Sequence, residues 1–271
     1  MVNYYRGCYI KQGWAPLNEQ IMKHLNWFER WWWEPPLVLW GWFSHDEGSG
    51  GTIIDYSPFA VNGYISGTPG ATPEQLQAIF WATPGFGHSQ GTGYPRVQTS
   101  RITSAMLLNY VSGVFFVRPL NYIQDATNRA CMVGEGGNAN WTVWGWENVT
   151  PTHWAMMSPN LDPSTKISST LVDFNDWHCV YFVAAPYTGY EYQMWIRKSK
   201  GQFIKIIDAV HQFNYTGYGH AIYNFGPTFQ GCSMDGGDFL IFVGETASEG
   251  IITLSDANNI YRYFKSRYDM K

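Results

Sequence analysis

From Leu37 onward the chain is a succession of short apolar and aromatic segments, each closed by glycine, proline, asparagine, aspartate or a charged residue. They read LVLWGWF, TIIDY, GVFFVRP, ACMVGEG, WTVWGW, HWAMM, WHCVYFVAA, EYQMWIRK, FIKIIDA and DFLIFVG. Segments of that length and spacing predict an antiparallel β-sandwich. Between Glu191 and Lys198, Tyr192, Met194 and Ile196 alternate with Glu191, Gln193 and Arg197, which assigns a core face and an outer face. The link KSKGQ, with Gly201, predicts a hairpin turn into FIKIIDA.

Helical signals are few. Leu17, Ile21, Leu25, Phe28 and Trp32 recur at helical spacing, with Glu19, Lys23, Glu29 and Arg30 on other faces, until Pro35 and Pro36 end the run. Such a helix either packs on its own body or docks on another subunit. The triplet Trp31 to Trp33 spreads aromatic surface over more than one face and favours the partner. The chain therefore divides into an N-terminal arm, 1–36, and a body, 37–271. A short helix is expected at TPEQLQAIF, with Thr72 as cap, Pro73 in the first turn and Gln75 completing a capping box. Another is expected at DANNIYRYFKSRY, capped by Ser255 and burying Ile260, Tyr263 and Phe264.

Composition excludes several functions. Net charge is -4 with no basic run, which argues against a nucleic-acid binder working by phosphate neutralisation. The charged fraction of 14% is low against roughly 25% in typical globular chains, so the surface is sticky or partly covered. Cys8, Cys131, Cys179 and Cys232 form no C-x-x-C pair, so free buried thiols are expected rather than a zinc ribbon. The opening MVNYYRGCYIKQGW has no basic head and apolar core, so no secretion signal is expected, and the sequons at Asn140, Asn148 and Asn214 carry little weight. The most apolar stretch, Trp31 to Phe43, is interrupted by Glu34, Pro35 and Pro36, and no membrane span is expected.

The run Trp40 to Gly67, with Asp46, Glu47, Gly48, Gly50, Asp55, Asn62 and Gly63, resembles the entry segment of laminin G-like, concanavalin A-like jelly-roll domains. GVFFVRP, the Trp177-His178-x-Val180 strand and the closing strand with its terminal helix follow in the family's order, and the resemblance covers residues 37 to 268. It implies an all-β, antiparallel jelly-roll sandwich, here preceded by a helical arm and closed by a short C-terminal helix. Lectins, adhesion domains and some glucanases share that fold, so function must come from residues.

Glucanases of this architecture need two carboxylates flanking one bond about 5 Å apart. Glu135, Glu147, Asp173 and Asp176 are isolated, so no catalytic residue is assigned and a non-enzyme is expected. GHSQG, Gly87 to Gly91, matches the hydrolase elbow around Ser89, but turn-rich sequence flanks it where strand and helix are required. The histidines show no metal-binding spacing. In FSHDEGSGGTIIDYS the glycines lead into a strand with no lysine nearby, which excludes a phosphate cradle. Asp46 and Ser49 are expected to close a turn there. No metal ligands are assigned; a calcium ion would need six to eight oxygens, and Asp46, Asp55 and Asp235 are scattered candidates.

Aromatic residues are better material for binding, because sugar rings stack on them. Trp146, Trp154, Tyr187 and Tyr190 are the expected carbohydrate contacts, although strand alternation places some of these tryptophans in the core. Two functions are expected, with a glycoside hydrolase a distant third. One is a structural or adhesive component on a virus particle, especially a bacteriophage, anchored to other virion proteins or to itself through Leu17, Ile21, Leu25, Phe28 and Trp32, assembled in the host cytoplasm and facing outward to a host glycan. The other is a stand-alone carbohydrate-binding lectin.

Overall fold

The computed structural model describes residues 2–5, 8–11, 37, 39–45, 47–57, 60, 62–67, 70–83, 85–89, 95–99, 110–120, 129–135, 142–147, 151–157, 165–185, 191–210, 233–244 and 246–270. The strands are β1 (Val2–Tyr5), β2 (Cys8–Lys11), β3 (Leu39–Phe43), β4 (Thr52–Ile53), β5 (Gly63–Ser66), β6 (Gly87–Ser89), β7 (Arg96–Thr99) and β8 (Tyr110–Pro119). They continue as β9 (Arg129–Glu135), β10 (Thr142–Glu147), β11 (His153–Met157), β12 (Thr165–Leu171), β13 (His178–Ala185), β14 (Glu191–Arg197), β15 (Ile204–Val210) and β16 (Met234–Gly244). The helices are α1 (Pro73–Phe80), α2 (Ala247–Gly250) and α3 (Leu254–Phe264), and a 3-10 turn, Lys265–Tyr268, follows α3.

The fold is an antiparallel β-sandwich. A seven-stranded sheet runs in the order β15-β14-β13-β8-β16-β3, with β6 also pairing with β16. A four-stranded sheet, β12-β11-β10-β9, and a three-stranded sheet, β4-β5-β7, accompany it. The arm begins with a hairpin, β1 against β2, which helical periodicity did not anticipate. The expected docking residues Leu17, Ile21, Leu25, Phe28 and Trp32 lie outside the described residues.

The seven-stranded sheet is apolar on both faces. Phe115, Val117, Val180, Phe182, Phe239 and Ile241 face an inner core with Trp146, Trp154 and Met156 from the four-stranded sheet and Ile53 and Val97 from the small one. The intervening Val114, Phe116, Cys179, Tyr181, Leu240 and Phe242 build an outer core with Ile260, Tyr261, Phe264 and Tyr268. Double burial explains why GVFFVRP and DFLIFVG are continuous apolar runs, whereas an antiparallel strand wetted on one face alternates.

Local signals account for the helices. Thr72 and Gln75 form the expected capping box of α1: the Thr72 N–H donates to Gln75 Oε1 at 2.9 Å and the Gln75 N–H to Thr72 Oγ1 at 3.3 Å. The cap of α3 is Thr253, not Ser255. Asp256 returns the bond to the Thr253 N–H at 2.7 Å, a box that serine two residues later could not form. The buried stripe of α3 is Ala257, Ile260, Tyr261 and Phe264, so Tyr261 faces inward and Tyr263 is only partly buried. Ser112 Oγ ties the outer layer to β8, donating to the Gly250 carbonyl at 2.7 Å and accepting from the Ile252 N–H at 3.0 Å.

The glycine-rich connection before β4 is a turn, with Gly48 and Gly50 at φ 68° and 86°. Glu47 closes it, its Oε1 accepting from the Ile54 N–H at 2.8 Å. Asp46 lies outside the described residues. Gly201, at φ 113°, makes the expected link from β14 to β15.

Candidate functional site

Asp235 and Asp238 stand three residues apart on β16, a spacing that a regular strand would split between its two faces. Pairing with β8 shifts register between Gly236 and Phe239, and this bulge turns both carboxylates to the outer face. Bulges re-aim side chains in this way where a sheet meets a site.

Asp238 is fully buried and structural. It accepts from Trp42 Nε1 at 3.0 Å, from Arg267 Nη1 at 3.1 Å and from the Tyr268 hydroxyl, whose oxygen in turn accepts the Asp238 N–H at 2.5 Å. Burial, reinforced by the Asp238 charge, pushes the Tyr268 phenol well up from its ordinary value. Beside them His45 donates from Nδ1 to the Gly237 carbonyl at 2.9 Å. Burial lowers its pKa to about 3; the Gly237 carbonyl opposes the shift, and Arg267 adds to it. Arg267 Nη2 also donates to the Ser44 carbonyl at 2.9 Å.

Asp235 opens toward the surface. His88 Nδ1 donates to its Oδ1 at 2.6 Å and Thr83 Oγ1 to the same oxygen at 3.2 Å. Arg118 donates to Oδ2 from Nε at 2.9 Å and also from Nη2. Burial alone would raise the Asp235 carboxyl, but the bonds from His88 and Arg118 outweigh it and hold the group below the ordinary carboxylate range. Exposure graduates outward, from 2% for the Asp235 side chain to 14% for His88 and 31% for Arg118.

These groups form one row. Asp235 is the register partner of His88 on β6 and of Arg118 on β8, and His178 pairs with Val117, so Trp177 continues the row beside Arg118. The Arg118 guanidinium lies 5.4 Å from the centroid of the partly exposed Trp177 ring. Trp177 rests on Phe86 at 4.8 Å and Tyr268 at 4.6 Å between centroids. The Asn175 N–H donates to the Pro119 carbonyl at 2.7 Å, and Asn175 adopts φ 67°, which fixes the loop leading into Trp177. Four adjacent segments at the inter-strand spacing make the row about 14 Å long.

The next residue turns the other way. His178 donates from Nδ1 to the Asp176 carbonyl at 2.9 Å and meets Trp154 edge to face at 5.2 Å. Burial lowers its pKa, with Asp173 opposing. Thus the Trp-His pair read from sequence straddles the sheet, tryptophan outside and histidine in the core.

The expected carbohydrate contacts fare differently. Trp146 and Trp154 are 2% and 0% exposed and pack edge to face at 5.8 Å, so neither presents a face to a sugar. They are register partners on β10 and β11, on the face that closes over the seven-stranded sheet. Tyr187 and Tyr190 lie outside the described residues. Ser89 ends β6, opposite Met234 in the sheet, so the first three residues of GHSQG lie in an antiparallel strand, and the last two lie outside the described residues. Sequence reading missed the gathering of His88, Arg118, Asp235 and Trp177. Their motifs were visible as markers of fold, but the register that aligns them was not.

Among the described residues no group of three or more histidine, cysteine or acidic side chains converges to hold a metal ion. Of the calcium candidates, Asp55 is committed to protein donors, accepting from the Trp42 and Ser57 N–H groups at 2.9 and 2.8 Å and from Ser57 Oγ at 2.7 Å. Asp235 is likewise taken up by His88, Thr83 and Arg118. No described helix is long and apolar enough to cross a membrane.

No family model and no curated protein matches this chain. Among solved structures it is similar to the binding domain of botulinum neurotoxin DC in complex with rat synaptotagmin II, with a TM-score of 0.53 and 14% identity over 83% of this chain and 51% of that one. The botulinum neurotoxin serotype D/C VPI 5993 binding domain gives 0.51 and 13%, over 82% and 51%. A Trypanosoma rangeli sialidase in complex with a difluorinated nononic acid gives 0.51 and 11%, over 84% and 33%. Identities at this level show a shared β-sandwich fold. The chain spans about half the length of the toxin domains it matches.

Proposed function

We propose that this chain is a non-enzymatic, lectin-like carbohydrate-binding module on a laminin G-like, concanavalin A-like sandwich. The observation that carries the reading is the row His88, Asp235, Arg118 and Trp177: a partly exposed indole beside polar groups locked in place by a buried carboxylate. Sugar recognition needs both parts, an aromatic plane for the C–H face of the ring and pre-oriented hydrogen-bonding groups for its hydroxyls. The sandwich neighbours support the fold, and one of them, the sialidase, was solved with a sugar-acid analogue.

A glycan panel tests the reading. Wild type binds at least one polysaccharide, and Trp177→Leu, which keeps apolar contact with Phe86 and Tyr268 but removes the indole plane, binds it about tenfold or more weakly at a temperature where both are folded. Unchanged binding by the folded variant would move the site elsewhere.

A narrower form of the reading places the module on the surface of a virus particle, assembled in the host cytoplasm. It rests on the sequence of the arm, Leu17 to Trp32, and deletion of residues 1–36 should prevent incorporation into particles while glycan binding survives.

A further inference from the structure

We infer that the Asp235 row takes a linear oligosaccharide of about three linked pyranoses, laid across the strands, rather than a single terminal sugar. The inference rests on the carbohydrate-binding reading and specifies how much of a glycan that site holds.

The groups that can meet a ligand stand at opposite ends of the row. Trp177 supplies a partly exposed indole at one end and His88 the Nε2 edge of its imidazole at the other, with Arg118 and Asp235 between them on successive strands. The side chains keep that order. His88 Nδ1 is bonded to Asp235 Oδ1 at 2.6 Å, Arg118 Nε to Oδ2 at 2.9 Å, and the Arg118 guanidinium lies 5.4 Å from the Trp177 centroid. Asp235 is 2% exposed with both oxygens taken, so a ligand passes over it. One pyranose is about as long as neighbouring strands are apart, about 5 Å. A ring on Trp177 can therefore reach Arg118 but not His88, and spanning a row of about 14 Å takes about three units in line.

The outer layer fixes the direction. On β8, Phe116 lies two residues before Arg118 and is buried beneath Tyr268 and Phe264, its ring centroid 4.5 and 5.8 Å from theirs. In the other direction β8 ends at Pro119. A glycan laid along the strands would meet the helical layer, whereas one laid across them follows Trp177, Arg118 and His88 in turn. Among the described residues neither Arg118 Nη1 nor His88 Nε2 has a protein partner. A hydroxyl both donates and accepts, so it can bond Nη1, and it can bond Nε2 in either protonation state of the imidazole.

The test uses the full chain and ladders of one to six units cut from dextran, mannan, galactan and xylan. Affinity for at least one ladder should climb about tenfold or more from the monosaccharide to the trisaccharide and then level off. His88→Asn keeps a side-chain N–H near the Nδ1 position for Asp235 but deletes Nε2. It should weaken trisaccharide binding about fivefold and leave the monosaccharide unchanged, whereas Trp177→Leu should weaken both. The wild-type ladder stands whether or not either variant folds. A monosaccharide that binds as tightly as the trisaccharide, or an affinity that keeps climbing to six units, overturns the inference while leaving a carbohydrate module in place. Binding to no member of any ladder overturns both readings.

Discussion

Gly237 lies directly against the Tyr268 ring: a Cβ added to it would stand 2.3 Å from Cε1 and 2.4 Å from the hydroxyl oxygen. The ring cannot retreat, because its hydroxyl is bonded to both the carboxylate and the N–H of Asp238 and its face stacks on Phe116 at 4.5 Å. Gly237→Ala should therefore destabilise the fold by about 2–3 kcal/mol, read as a lower denaturation midpoint at unchanged m-value. Near-ultraviolet circular dichroism should change as well, since Trp177 and Phe86 rest on the same ring.

Ser112→Ala removes one hydroxyl and strands two partners, the Gly250 carbonyl and the Ile252 N–H. Leaving buried polar groups unpaired costs about 2 kcal/mol. Hydrogen exchange at the Ile252 amide should accelerate more than exchange in β13, which distinguishes local loosening of the outer layer from global loss of stability.

His45 sets an acid limit. In the unfolded chain it takes up a proton near 6.5, whereas in the fold it stays neutral down to about 3. Between those values the unfolded state binds more protons, so stability rises with pH and is lost as pH falls from 6.5 toward 3, by up to about 1.4 kcal/mol per unit for this group. His45→Asn suits the positive φ of 56° and keeps an N–H for the Gly237 carbonyl. Its denaturation midpoint should vary less steeply over that range than wild type; an equal slope would show that His45 contributes nothing to it.

Trp154 separates core from binding surface. Its ring is wholly buried between Trp146 and His178, so Trp154→Ala should cost about 3–5 kcal/mol. Trp154→Phe should be milder, because Nε1 is buried without a hydrogen-bond partner among the described residues and loses nothing on removal. Neither substitution should alter glycan affinity at temperatures where the protein is folded, in contrast to Trp177→Leu.

The sandwich was legible because its evidence is local. Strand alternation at Tyr192, Met194 and Ile196, the turn at Gly201 and the capping box at Thr72 each lie within a few residues, and each is found in the fold. The site was not legible, because His88, Arg118, Asp235 and Trp177 are brought together by register across strands far apart in sequence. A bulge no motif announces then turns Asp235 and Asp238 to one face. Trp146 and Trp154 show the converse error: a dense cluster of aromatic residues looked like a binding surface, yet the chemistry that suits a sugar suits a core equally well.

The pairing of β3 with β16 joins residues 39–43 to residues 239–242. During synthesis, the early strand has no edge to join until almost two hundred further residues have emerged, and α3 can cover the outer core only after that. Closure of the central sheet is thus a late, long-range event, of the kind that makes β-proteins fold over milliseconds to seconds. Until then Trp42 and Phe43 can meet only nearby partners such as Asp55 and lack those on β16, and a chaperone that shields aromatic segments would find its client here before the final strand arrives.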